Sequence, residues 1–235
     1  MLYLIGLGLN EKGISLEGIE AIKKSKKIYL DDYTVNFPYP LKNLEKEIGK
    51  KIIPANREIV ESMNELLDKA KSGNIALLVY GAPLTATTHI SLLQEARKRK
   101  IDYKIIYNAS VLDAITETGL QIYKFGKITS LPNFNADSFI DVVKENQKIN
   151  AHSLILVDIG LEFKNAIERL ERVMKKEKIN VHKIVVCEKL GTKDSKIHYA
   201  SGEQLKNKKI EFPFCFIIPG KLHFLEEEFL ENFKN

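Results

Sequence analysis

The sequence predicts an α/β fold made of two α/β domains, residues 1–125 and 126–235. Apolar strand-length runs alternate with amphipathic helical segments from the first residues. The rhythm changes near Phe125-Gly126, where a second unit begins. Two strands end in glycine turns, Ile5-Gly6-Leu7-Gly8-Leu9 and Tyr80-Gly81-Ala82-Pro83, places where backbone can come close to a ligand.

The elements follow in order. Strand Leu2 to Leu7 leads through a loop, Asn10 to Ile14, into a helix from Ser15 to Ser25, with Ser15 as cap and Glu17 in its first turn. Strand Lys27 to Leu30, the turn-rich Tyr33 to Pro40, helix Leu41 to Ile48, strand Lys51 to Ile53 and helix Glu58 to Lys71 come next. Strand Ile75 to Tyr80, a helix from Thr88 to Lys98 capped by Thr87 or Thr88, and strand Tyr103 to Tyr107 complete the first domain's pattern, that of a parallel sheet. The second unit reads as strand Lys127 to Ser130, helix Asp137 to Glu145, strand Ser153 to Val157 and helix Lys164 to Lys175. Strands Lys183 to Cys187, Ile197 to Ala200 and Phe214 to Ile218 precede a closing helix, Leu222 to Phe233.

At 235 residues and 44% hydrophobic, the chain can fill a core of this size. Its longest apolar runs, such as Ile75 to Val79, are strand length, against the roughly 20 residues that cross a bilayer, so no membrane association is expected. Met1 runs directly into Leu-Tyr-Leu-Ile-Gly without a basic and then apolar leader, which points to the cytoplasm. Cys187 and Cys215 lie in apolar runs and are expected as buried reduced thiols. The net charge of +5 comes from lysine runs interrupted or flanked by acids, the pattern of a solvated surface, with no direct nucleic-acid binding indicated.

Gly6 and Gly8, with Asp31 or Asp32 after the second strand, would suit a dinucleotide fold with its ribose-binding acid. However, the third glycine of that fingerprint falls at Glu11, and the helix starts too late to cradle a pyrophosphate. The segment Tyr80 to His89 says more: Gly and Pro break the strand, small Ala and Thr side chains follow, and backbone N–H groups and hydroxyls can meet a carboxylate or ribose. The glycine turns together favour a nucleotide-like cofactor. The five histidines, His89, His152, His182, His198 and His223, show no metal-ligand spacing and are expected at the surface or in caps.

Five blocks then extend over nearly the whole chain: Tyr3 to Leu9, Ala86-Thr87-Thr88-His89, Asn108 to Val111, Gly119-Leu120-Gln121-Ile122-Tyr123-Lys124-Phe125-Gly126 and Pro219 to His223. Together, and in this order, they strongly resemble the diphthine synthase family, a branch of the tetrapyrrole-methylase-like superfamily of S-adenosylmethionine-dependent methyltransferases. The resemblance implies two α/β domains with the cofactor folded in a cleft between them, usually in a homodimer. It implies cofactor contacts at Leu9, Ala82, Thr85, Ser110 and Val111, and from the second domain at Val157, Leu190 and Phe214. It also implies that S-adenosylmethionine is converted to S-adenosylhomocysteine, and that the acceptor is the amino group of the 3-amino-3-carboxypropyl side chain on a histidine of translation elongation factor 2. One or several methyl groups, and an ester in place of an amine, remain open.

Two positions depart from the family pattern. Ala82 stands where the family has the Asp of Gly-Asp-Pro, and Phe214 where a His is frequent; the segment after Ser130 is also shorter and less aromatic. Losing the carboxylate at 82 removes a hydrogen-bond acceptor, a change on the order of 1–3 kcal/mol. A tetrapyrrole or ribosomal RNA methyltransferase of the same superfamily, or a non-catalytic homologue owing to Ala82, are therefore the alternatives. No side chain is singled out as catalytic and no metal is needed, because a sulfonium is already activated and the protein's task is alignment and exclusion of water. Tyr123 and Lys124 are candidates to orient the acceptor carboxylate.

Overall fold

A computed structural model describes residues 1–234. The chain divides into two compact units, Met1–Asp113 and Ala114 onward.

The first unit contains β1 (Leu2–Gly6), α1 (Leu16–Lys24), β2 (Lys27–Asp31), α2 (Leu41–Ile48), β3 (Ile53–Ala55), α3 (Arg57–Ser62) and α4 (Asn64–Ser72). It continues with β4 (Ile75–Val79), α5 (Ile90–Lys98) and β5 (Tyr103–Ile106), and a short α6 (Val111–Ala114) carries the chain across the division. The sheet is wholly parallel, in the order β3-β2-β4-β1-β5. Strand residues alternate between two cores. Leu2, Leu4, Ile75, Leu77 and Val79 meet Leu66, Leu67, Leu92 and Leu93 on one face. Tyr3, Ile5, Ala76 and Leu78 meet Ile22, Leu44 and Ile48 on the other. Helices α1 and α2 thus cover one face and α3, α4 and α5 the other. The connections leaving β1 and β4 run to opposite faces, so the carboxyl ends of these neighbouring strands form a topological switch point.

Most elements form where periodicity predicts them, and Ser15 caps α1 by accepting from Gly18 N–H. The single helix expected over Glu58 to Lys71 is two, because Met63 adopts a left-handed conformation (φ 59°) while packing against the core. Strand β3 starts at Ile53 rather than Lys51, since Glu45 binds both the Lys51 ammonium and the Ile52 N–H. The thiols of Cys187 and Cys215 are free and buried.

The second unit holds β6 (Thr129–Leu131), α7 (Phe139–Lys148), β7 (Ser153–Val157), α8 (Phe163–Lys176), β8 (Ile184–Glu188), β9 (Lys196–Ala200), α9 (Gly202–Lys206), β10 (Phe214–Ile218) and α10 (Phe224–Leu230). Its sheet is mixed, in the order β6-β7-β10-β8-β9, and only the β6–β7 pair is parallel. Phe139, Ile155, Ile167, Leu170, Val186 and Phe216 centre the core beneath it. Among the described residues no helix is long and apolar enough to cross a membrane.

The division falls ahead of Phe125-Gly126 because residues 115–125 are bound to this second unit by a buried charge network. The Glu226 carboxylate, 1% exposed, accepts from Gln121 N–H (3.0 Å), His223 N–H (2.7 Å), His152 Nε2–H (3.2 Å) and the Lys124 ammonium. His152 accepts Gly220 N–H at Nδ1 (2.9 Å), and Lys124 Nζ also donates to Lys221 O (2.9 Å). Burial lowers the His152 pKa against the pull of Glu226, so the ring is neutral and its one proton sits on Nε2. For Glu226, burial alone would raise the pKa. The donors from His223, Lys124, Gln121 and His152 outweigh it and hold the carboxyl at about 2.

A carboxyl depressed in the fold stabilises above its unfolded pKa, and that contribution is lost as pH falls through the folded value. Urea denaturation of the wild type should therefore show Glu226's share of the stability intact above 4.5 and declining toward about pH 2. Glu226→Gln should cost about 3–5 kcal/mol at neutral pH, because Lys124 loses a buried partner, and should flatten the acid decline. Equal declines in both proteins would assign the acid sensitivity to other groups.

Candidate functional site

The two glycine turns meet at the switch point. Gly8 (φ +68°) and Gly81 (φ +71°) form an isolated antiparallel bridge, Gly8 N–H donating to Gly81 O (3.2 Å) and Gly81 N–H to Gly8 O (2.9 Å). Both occupy the left-handed region that glycine enters without steric penalty. A Cβ on Gly6 would lie 2.7 Å from Gly81 O and 2.9 Å from Pro83 Cδ, so the turns are in direct contact. Tyr80 adds a side-chain link, its hydroxyl donating to Leu9 O (3.0 Å), and burial raises its pKa so that the proton stays in place.

A third loop joins them from β5. Asn108 Nδ2 donates to Gly6 O (3.1 Å) and Gly13 O (2.8 Å), while its Oδ1 accepts from Ala109 N–H (2.8 Å). Ser110 is buried and opens α6: its N–H and hydroxyl donate to Asp113 (2.7 and 3.1 Å), and its hydroxyl oxygen accepts from Leu112 N–H (3.1 Å). Gly81 faces Ser110, whose Cα lies 3.6 Å from the point where a Cβ on Gly81 would stand. Leu9 is buried, whereas Ala82, Thr85 and Val111 are partly exposed, and Thr85 N–H returns to Ala82 O (3.3 Å). The fold thus gathers Leu9, Ala82, Thr85, Ser110 and Val111 onto three loops at the carboxyl ends of β1, β4 and β5. Asn108 opens the block Asn108 to Val111 but is not among the expected contact residues, and it is the side chain that ties these loops together. Its signal was an amide directly after a strand, where the neighbouring strands carry glycine.

Asp31 is not a ribose-binding acid. It is fully buried, accepting from Tyr33 N–H (3.2 Å) and Thr34 Oγ1–H (2.7 Å), and its Oδ2 lies 3.1 Å from His89 Nε2. The other nitrogen of that ring, Nδ1, bonds Pro83 O (3.2 Å). Asp32 is exposed, and α1 begins only at Leu16, too late for a dinucleotide pyrophosphate. His89, His152 and His198, the last within β9, are buried and therefore depart from the surface or capping roles expected for them. His152 is buried between Gly220 N–H and the Glu226 carboxylate, while His89 bonds Pro83 O through Nδ1 and its Nε2 stands 3.1 Å from Asp31 Oδ2 outside hydrogen-bond geometry. His223 does cap α10, and His182 is exposed.

In the second unit, β7 and β8 run antiparallel to β10, which brings Val157, Leu190 and Phe214 to one end of the sheet. Val157 closes β7, Leu190 follows β8, and Phe214 opens β10 opposite Glu188. The Phe214 ring is buried against Phe163 (5.3 Å between centroids) and Phe216 (5.7 Å), which leaves its main chain as the part that can face a ligand. Tyr123 and Lys124 lie beyond the opposite end of β10, at about 14 Å for four strand steps. There they line a groove of about 500 Å³ with Ile149, Asn150 and Lys221. They do not join the set formed by Val157, Leu190 and Phe214. Among the described residues no three His, Cys, Asp or Glu side chains gather within metal-binding range.

With this geometry in place, the chain can be compared with known proteins. Residues 1–206 match the family model of the Tetrapyrrole (Corrin/Porphyrin) Methylases. The chain is 37% identical to a diphthine synthase of Methanococcus maripaludis, across 98% of each protein. It is 35% identical to a diphthine methyl ester synthase of Dictyostelium discoideum, across 100% of this chain and 98% of that protein. A crystal structure of a diphthine synthase superposes with a TM-score of 0.91 at 29% identity, covering 99% of this chain and 95% of the other. The glycine turns, the three loops they organise and these full-length similarities lead to one conclusion: the chain belongs to the tetrapyrrole methylase family of methyltransferases, among the diphthine synthases.

Proposed function

We propose that the chain methylates the amino group of the 3-amino-3-carboxypropyl-histidine of translation elongation factor 2, using S-adenosylmethionine and releasing S-adenosylhomocysteine. It would act in the cytoplasm as a homodimer. The observation that carries this reading is the pair of hydrogen-bonded glycine turns at the switch point, in a chain similar along its whole length to diphthine synthases. In this reading Leu9, Ala82, Thr85, Ser110 and Val111 contact the donor from the first unit, and Val157, Leu190 and Phe214 from the second.

The residues present fit such a donor. Main chain held in left-handed turns and the small side chain of Ala82 permit close approach, and Thr85, which carries a hydroxyl, is partly exposed. When bound, S-adenosylmethionine supplies a methyl group already activated on a sulfonium. The chain's share is to fix the donor's orientation through main-chain loops and to exclude water. Ala82 offers no carboxylate, and Asp31 does not replace it, being buried and directed at His89. The donor would then be held by main chain, hydroxyl and apolar contacts.

The similarity to the Dictyostelium diphthine methyl ester synthase supports a second reading, methylation of a carboxylate to an ester. The two readings differ in proton chemistry. An amine attacks only when unprotonated, so single-turnover rates should rise with pH toward the acceptor's pKa, whereas a carboxylate acceptor, ionised throughout the neutral range, should give a flat profile. Calorimetry should detect both S-adenosylmethionine and S-adenosylhomocysteine binding, and Ala82→Asp should tighten the former by roughly tenfold if the added carboxylate meets the sulfonium. Absence of binding by either ligand would remove the enzyme reading in favour of a non-catalytic homologue.

A further inference from the structure

We propose that Asp31 and His89 form a buried ion pair, with both imidazole nitrogens protonated, that positions the second glycine turn for the donor. This rests on the reading of Gly81–Thr85 as part of the donor site.

The charge state follows from what each ring nitrogen faces. Nδ1 lies 3.2 Å from Pro83 O, a carbonyl oxygen that can only accept, so Nδ1 carries a hydrogen. Nε2, a buried atom with no hydrogen-bond partner, lies within ion-pair range of Asp31 Oδ2, at 3.1 Å. Both oxygens of that carboxylate are already acceptors, Oδ1 from Tyr33 N–H and Oδ2 from Thr34 Oγ1–H, as expected of the ionised form. A bare lone pair on Nε2 would repel the carboxylate at this distance, whereas a second ring proton turns the contact into an attraction. With both side chains at 0% exposure, water cannot stand in for either partner.

The pair has a definite mechanical position. Asp31 ends β2 and His89 precedes α5, so the link runs from the end of one strand to the far side of the loop that leaves β4. Pro83 O, which His89 holds, also accepts from Thr87 Oγ1–H (3.3 Å), and Tyr33 OH lies 3.4 Å from Thr88 Oγ1. The loop from Gly81 to His89 is therefore clamped at its start by Gly8 and at its end by Asp31 through His89. Ala82 and Thr85 lie between the clamps, next to the carbonyl that His89 grips. Asp31 and His89 are positioning residues that act through this turn.

The test joins a spectroscopic readout of the ring to a binding measurement on the full chain. Nitrogen-15 NMR of the histidine rings at neutral pH should show His89 protonated on both nitrogens. Asp31→Asn keeps the shape and can still offer a hydrogen-bonding group to Nε2 but removes the charge. It should convert the ring to the neutral Nδ1–H form and raise the calorimetric Kd for S-adenosylmethionine roughly tenfold or more. A neutral His89 ring in the wild type would overturn the ion pair, and that spectrum decides the matter even if Asp31→Asn does not fold. A folded Asp31→Asn with wild-type affinity would overturn the positioning role alone. Absence of S-adenosylmethionine binding to the wild type would instead overturn the donor reading on which that role rests.

Discussion

The reciprocal hydrogen bonds between Gly8 and Gly81 are the constraint on which the rest of the candidate site depends. They join the carboxyl ends of β1 and β4 where the chain's connections diverge to opposite faces, and they require a left-handed backbone on both sides. Neighbouring polar groups bond to the locked turns. Asn108 fills the space beside Gly6 and Gly8, Tyr80 reaches Leu9, and Ser110 comes to face Gly81. Turns fixed by their own hydrogen bonds give a ligand at this edge a backbone already held in place, which is the preorganisation that methyl transfer needs.

The blocks that carried the family resemblance divide into two physical kinds. Tyr3 to Leu9, Ala86 to His89 and Asn108 to Val111 converge on the three loops of the first unit. Gly119 to Gly126 and Pro219 to His223 converge instead on Glu226, a buried carboxylate fed by two main-chain N–H groups, a lysine and a neutral histidine. That second cluster binds the first residues of the second unit to the segment that opens α10. A recurrent motif there reads as a requirement for a satisfied buried charge.

Much of this was legible in the sequence wherever a local rule governed the outcome. Ser15 caps α1 because a hydroxyl before a helix satisfies an orphan N–H, and the glycine turns end their strands because only glycine enters φ > 0 cheaply. What escaped was decided by contacts between distant residues. Nothing local marks Met63 as a helix break, since its left-handed conformation accompanies packing against the core. The partners of His89 and His152 lie 58 and 74 positions away, at Asp31 and Glu226, so composition and spacing left both rings at the surface. Tyr123 and Lys124 suggested an acceptor site by residue type, and only the antiparallel course of β10 places them away from Val157, Leu190 and Phe214.

Under the proposed function, loops fixed by their own hydrogen bonds would hold a sulfonium compound without a carboxylate at position 82. That claim is tested most directly at the product. Elongation factor 2 carrying the 3-amino-3-carboxypropyl-histidine is incubated with this protein and S-adenosylmethionine, and the modified peptide is examined by mass spectrometry. The account predicts a gain in mass, in steps of one methyl group, localised to that side chain and dependent on the protein. An unmodified side chain in the presence of bound S-adenosylmethionine would contradict it.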